Sequence, residues 1–234
     1  MNKICLYLLA ALVTLVLPSI ALAGSIVVSV GNTAPTNPFA GGAPLVSGNT
    51  YGSGVISSNF VAPFFTDFCG SEAAAPLSNC DKSWTFVYVI PAGETITSAS
   101  LTVGLWDLDS NQAGNQIALY QINGGDVLTS AINTAAEALN GGTGAPNTEY
   151  DVFTFSLTNF GALSGGSATI HLTFQGPGGG LFGPTDTNGG AILFSTLNIT
   201  TQSPNSVPEP GTWALLASGI GVLAGGRRFL VRRF

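Results

Sequence analysis

Trp84-Thr85-Phe86-Val87-Tyr88-Val89-Ile90 is the stretch that decides the fold. Aromatic and β-branched residues fill it, and Pro91-Ala92-Gly93 closes it, so it predicts a β-strand ending in a turn. The pattern repeats on both sides. In residues 96–105, Leu101, Val103 and Leu105 alternate with Thr102 and Gly104. Residues 116–122 set Ile117, Leu119 and Gln121 against Ala118, Tyr120 and Ile122. Residues 151–157 place Phe153, Phe155 and Leu157 on one face and Val152, Thr154 and Ser156 on the other. Residues 168–174 set Ile170, Leu172 and Phe174 against Thr169, His171 and Thr173, and residues 191–199 supply a last strand. A period of two is the mark of a half-buried strand.

Turn residues separate these runs: Asn123-Gly124-Gly125, Gly165-Gly166, residues 176–180 and Asn188-Gly189-Gly190. Only residues 130–140 have a helical pattern. Residues 31–60, rich in Gly, Pro, Asn, Ser and Thr, predict loops and an irregular edge strand. Many short strands with frequent turns indicate an all-β fold, a two-sheet β-sandwich of jelly-roll-like form.

The charge pattern narrows the function. Charged residues are 8% of the chain, against about 25% in average soluble proteins. Four of the six basic residues stand in the last eight positions. Residues 24–206 hold eleven acids against one lysine, Lys82, so ten net negative charges lie there. Nucleic acid is excluded as a partner, because phosphate binding needs Lys and Arg to neutralise the backbone. Such a body suits divalent cations or neutral partners such as glycans.

The N-terminus reads as a signal peptide, residues 1–23. Lys3 supplies the positive charge, residues 4–17 the apolar run, and Pro18 and Ser19 the break. Ala21-Leu22-Ala23 then forms an A-x-A site, with cleavage between Ala23 and Gly24. A run of 14 residues, with Thr14 its one clearly polar member, is short for a span of about 20.

At the other end, after a linker over 202–206, comes Val207-Pro208-Glu209-Pro210-Gly211-Thr212-Trp213. Residues 210–226 carry no charge, and Arg227, Arg228, Arg232 and Arg233 follow. The uncharged stretch is at the lower limit for a membrane-spanning helix, which arginine snorkelling lengthens. Its many Gly, Ala and Ser residues permit close approach of another helix. The arginines set the C-terminus in the cytoplasm, and with the signal peptide they direct the domain at 24–201 to the periplasm. The two prolines hold the Pro-Glu-Pro segment extended.

The order of motif, small-residue apolar helix and arginine cluster over 207–234 resembles the PEP-CTERM domain of exported proteins in Gram-negative bacteria that make exopolysaccharide. The resemblance implies recognition of Pro208-Glu209-Pro210 by exosortase, a membrane protease-transpeptidase. It implies sorting, by way of the inner membrane, to the cell surface or beyond. It implies nothing about the work of the preceding domain.

The remaining candidates are few. Cys69 and Cys80, the two cysteines beyond the signal peptide, predict a disulfide in an oxidising compartment. Asp107, Asp109 and Asn111 place oxygen side chains at alternate positions, as at the start of a calcium loop. Gln112 and Ala118 stand where an EF-hand needs Gly and Glu, so the choice is between a sandwich-loop calcium site and a polar turn. His171, the single histidine, sits mid-strand on the polar face. One histidine and a cysteine pair build no zinc site. Trp84, Trp106, Tyr88 and Tyr120 read as core aromatics or as a sugar-stacking platform.

With no catalytic constellation in view, the chain reads as a non-enzymatic exported protein of the envelope or matrix, for adhesion, structure or glycan binding. No cofactor is expected unless calcium binds. A polysaccharide hydrolase and a calcium-dependent binding module stay open as alternatives.

Overall fold

Alternate residues of Ser167–Phe174 are buried: Ala168, Ile170, Leu172 and Phe174 are inside, while Thr169, His171 and Thr173 face outward. This strand is the centre of a three-stranded sheet, and its neighbours bury their own alternate residues against the same core. The computed structural model describes residues 23–64, 68–71, 77–107, 114–139, 148–180 and 183–203. The strands in chain order are β1 (Ala23–Gly31), β2 (Thr36–Asn37), β3 (Ala43–Pro44), β4 (Asn49–Thr50), β5 (Asp81–Val87), β6 (Thr95–Trp106), β7 (Ile117–Ile122), β8 (Glu149–Leu157), β9 (Ser167–Phe174), β10 (Gly178–Gly180), β11 (Gly183–Thr185) and β12 (Ala191–Gln202). A short helix covers Ser53–Ser57 and a longer one Thr129–Leu139.

Two sheets carry the fold. One has five strands in the order β1-β12-β6-β8-β4, and the other three in the order β5-β9-β7. From β5 to β9 each strand lies in the opposite sheet from the one before it, and β12 returns to the first sheet. The pairings β4 with β8, β6 with β8, β5 with β9 and β7 with β9 are all antiparallel. One apolar cluster fills the space between, with Leu101, Val103, Leu105, Phe153 and Leu197 from one sheet and Phe86, Tyr120, Ile170 and Leu172 from the other. The described residues thus form an all-β sandwich. By contacts the body is Ser25–Ala92 with Ile96–Thr201; a smaller unit gathers, among described residues, Ala23, Gly24, Gly93–Thr95, Gln202 and Ser203. Within the smaller unit, the Thr95 hydroxyl donates to the Gln202 carbonyl at 3.4 Å.

β7 departs from the simple alternation. Its buried residues are Ile117, Tyr120 and Ile122, drawn from both of the faces that strict alternation sets apart. The register shifts between Ile117, opposite Phe174, and Leu119, opposite Thr173. The extra residue, Ala118, flips the parity of all that follows, as a β-bulge does.

β7 is also an edge strand, and the helix Thr129–Leu139 covers it. Asn133 donates to the Ile117 carbonyl at 2.8 Å, and its Oδ1 accepts from the Gln116 and Ile117 amides at 3.0 and 2.9 Å. Further along the edge, Tyr120 N–H donates to Thr129 Oγ1 at 2.9 Å and Leu128 N–H to the Tyr120 carbonyl at 2.7 Å. Helix side chains and the chain entering the helix thus take the hydrogen bonds that another strand would take, which closes an edge otherwise open to pairing.

Residues 31–60 hold more structure than their composition suggests. They supply β2, β3, β4 and the helix Ser53–Ser57, and their Leu45, Val55 and Ile56 pack with Trp106, Tyr150, Leu193 and Phe194 in a second cluster. Phe194 fits there because residue 104 is glycine: a Cβ at Gly104 would collide with the Phe194 ring.

Candidate functional site

Glu149 and Asp151 open β8. Two residues apart on a strand, they point to the same face as Phe153 and Leu157, the core face. Both are buried, Glu149 at 5% exposure and Asp151 at 0%. Asp151 lies opposite Leu105 in the ladder with β6. Just past the end of β6, Asp107 N–H donates to the Glu149 carbonyl at 2.8 Å, and Asp107 Oδ1 accepts from Thr148 N–H at 3.0 Å. Asp107 and Thr148 both have positive φ, 62° and 77°, costly for a β-branched threonine.

On the other side of β8, Gly48 N–H donates to Asp151 Oδ1 at 3.2 Å and to the Tyr150 carbonyl at 2.9 Å. The Ser47 hydroxyl reaches Asp151 Oδ1 at 3.5 Å and accepts from Val152 N–H at 2.9 Å. Two oxygens are left over: among the described residues, Glu149 Oε2 and Asp151 Oδ2 are buried with no hydrogen-bond partner. Burial, with the Asp151 charge adding to it, pushes the Glu149 carboxyl up to about 7. Burial pushes Asp151 up to about 6, although the Gly48 and Ser47 hydrogen bonds favour its ionised form. The single lysine of residues 24–206, Lys82, lies on β5 in the other sheet.

The residues singled out in the sequence take varied places. Cys69 and Cys80 form the disulfide. It joins a segment whose Cys69 exchanges both main-chain hydrogen bonds with Gly190, at 2.8 and 2.9 Å, to one where Cys80 N–H donates to the Asn188 carbonyl at 2.9 Å. Asp107 is at the edge of the acidic pair; Asp109 and Asn111 lie outside the described residues. Among the described residues, no group of three or more His, Cys, Asp or Glu side chains is gathered as a metal cage.

His171 lies on the outer face of the three-stranded sheet, where its Nε2 is 2.6 Å from Asp81 Oδ1, with the Thr173 hydroxyl 3.3 Å from both. An exposed contact of this kind contributes about 0–1 kcal/mol. The four aromatics make no sugar platform: Trp84, Tyr88, Trp106 and Tyr120 are 4%, 7%, 7% and 0% exposed. Core packing won because each sits on an inward position of its strand or at its end. Sequence reasoning passed over Glu149 and Asp151, although Asp151 shares the parity of Phe153 and Phe155, and an acid on an apolar face is itself a signal.

At the two ends, Ala23 and Gly24 begin β1. The rest of the expected signal peptide, the sorting residues Val207, Pro208, Glu209 and Pro210, the apolar stretch and the four arginines lie outside the described residues. Among the described residues no helix is long and apolar enough to cross a membrane.

Comparison with known proteins bears on the tail. No curated protein matches the chain. A family model, the PEP-CTERM protein-sorting motif, matches residues 206–233. That motif implies processing by an exosortase, a membrane protein. By the motif at its C-terminus, the chain is a PEP-CTERM domain-containing protein.

Proposed function

We propose that this is an exported protein whose sandwich serves, without catalysis, in adhesion, matrix structure or glycan binding at the cell envelope or outside the cell. The observation that carries the export reading is the sorting motif at residues 206–233. In this reading the signal peptide opens the Sec route and is removed between Ala23 and Gly24. The apolar helix then holds the chain in the inner membrane with the body in the periplasm, until exosortase acts near Pro208-Glu209-Pro210.

The body suits such work. Its strand order supports a jelly-roll reading in which the helix Thr129–Leu139 takes the place of a fourth strand of the smaller sheet, beside β7. The outer faces carry paired hydroxyls, Thr102 with Thr154 at 2.9 Å, Thr85 with Thr169 at 2.9 Å, and Ser29 with Thr196 at 2.8 Å, besides the contact of His171 with Asp81. Such hydroxyl pairs stay wetted and offer hydrogen bonds to neutral glycans.

Deleting the gene and scoring biofilm, together with glycan-array binding of the purified protein, tests the proposal. Loss of matrix or a reproducible glycan signal supports it. Glycan turnover that Glu149→Gln or Asp151→Asn abolishes would favour the hydrolase instead. A folded protein with neither binding nor a biofilm effect contradicts it.

A further inference from the structure

We propose that Glu149 and Asp151 are ligands of a divalent cation of the calcium class, bound at the start of β8 beside Ser47 and Gly48. Two carboxylates within about a tenth of full burial each leave an oxygen without a partner. A buried charge needs a counter-charge or a metal. An orphaned buried polar group is destabilising, the more so when ionised. Among the described residues the one basic side chain of the Lys or Arg type, Lys82, lies on a strand of the other sheet.

The donor set chooses the class of ion. Every candidate ligand atom is a hard oxygen, from Glu149, Asp151 and the Ser47 hydroxyl, which suits calcium rather than a thiolate- or imidazole-seeking metal. Calcium takes 6–8 oxygens, so main-chain carbonyls and water would complete the sphere. An open sphere of this kind gives the weak affinity of extracellular modules, a Kd of roughly 0.1–1 mM. The geometry also moves the ion from the place that the Asp107-Asp109-Asn111 spacing suggests. Asp107 is committed to Thr148, and it braces the main chain of Glu149. The inference stands apart from the adhesive reading, since the site is defined whatever the outer faces bind.

The test uses the full chain in detergent. Calcium at ten times Kd is expected to raise the melting temperature by about 3–6 °C, reversed by chelator and not reproduced by magnesium at equal concentration. Bound terbium is expected to emit on excitation of Trp106 and Tyr150, which pair across β6 and β8 beside the site, and calcium is expected to quench that emission by displacement. Glu149→Gln and Asp151→Asn are each expected to lower the affinity at least tenfold. Should a neutral variant fail to fold, Glu149→Asp keeps the charge on a shorter arm and is expected to bind more weakly. Absence of both the melting shift and the emission in the parent overturns the proposal, and so does parental affinity in the variants.

Discussion

Asn133 both donates to and accepts from the main chain of Ile117, at 2.8 and 2.9 Å. One side chain from a helix thereby closes the edge of a sheet. Replacing it with alanine takes this partner from the Gln116 and Ile117 amides and the Ile117 carbonyl in a buried setting. Asn133→Ala is expected to lower stability by about 2–4 kcal/mol. Thr134→Ala, on the exposed side of the same helix, is expected to change it by less than about 0.5 kcal/mol. Urea denaturation of both variants checks the contrast, and equal small effects would contradict the capping role.

Gly104 and Phe194 give a second, independent test. Gly104→Ala drives a methyl group into the Phe194 ring and is expected to cost about 1–3 kcal/mol. Adding Phe194→Leu is expected to return part of the loss, so the double variant is more stable than the sum of the singles implies. Strict additivity in a double-mutant cycle would mean that the ring does not set the demand for glycine.

The disulfide closes a loop with a sequence separation of 11. Short loops of this size gain about 3 kcal/mol in the chain-entropy model. The Cys69→Ala, Cys80→Ala double variant is expected to unfold at lower denaturant by about that amount. Addition of reductant to the parent is expected to have the same effect. Full stability after verified reduction would refute it.

Asp126 ties the turn after β7 to the chain after β8. Its carboxylate accepts from the Thr158 hydroxyl at 2.5 Å and from the Thr158 and Asn159 amides at 3.0 Å each. Burial alone would raise its pKa, but these hydrogen bonds outweigh burial and hold it below the ordinary 3.8. A carboxyl lowered on folding stabilises the protein above the unfolded value and loses that contribution as pH falls through the folded one. Asp126→Asn is therefore expected to cost about 1 kcal/mol at pH 6, after allowance for solvent screening. The difference is expected to shrink below pH ~4. Denaturation curves at both pH values check this, and a gap that widens in acid contradicts it.

Much of the fold was legible where local pattern and tertiary demand agree. The alternation in β9 (Ser167–Phe174), the cysteine pair and the helix near 130–140 all stand as read, the helix shifted by one residue to Thr129–Leu139. Three features were hidden. The bulge at Ala118 carries no glycine or proline to mark it, so residues 116–122 read as an unbroken strand. The second core draws on Leu45, Val55 and Ile56, which lie scattered among Gly, Pro and Ser and show no periodicity. The acidic pair was hidden for another reason: in sequence, Glu149 and Asp151 look like the polar start of a strand. Their meaning comes from burial and two unpartnered oxygens, which only the packed molecule supplies.

The proposed function depends above all on the tail being a sorting signal that exosortase processes. The most direct measurement is mass spectrometry of both termini of the protein recovered from cells that contain an exosortase. A chain is expected that begins at Gly24 and ends close to Pro208-Glu209-Pro210, with the arginine cluster gone, and whose loss of the tail stops when those three residues are replaced by alanine. A recovered chain that still runs from Met1 to Phe234 and is unaffected by the replacement would contradict it.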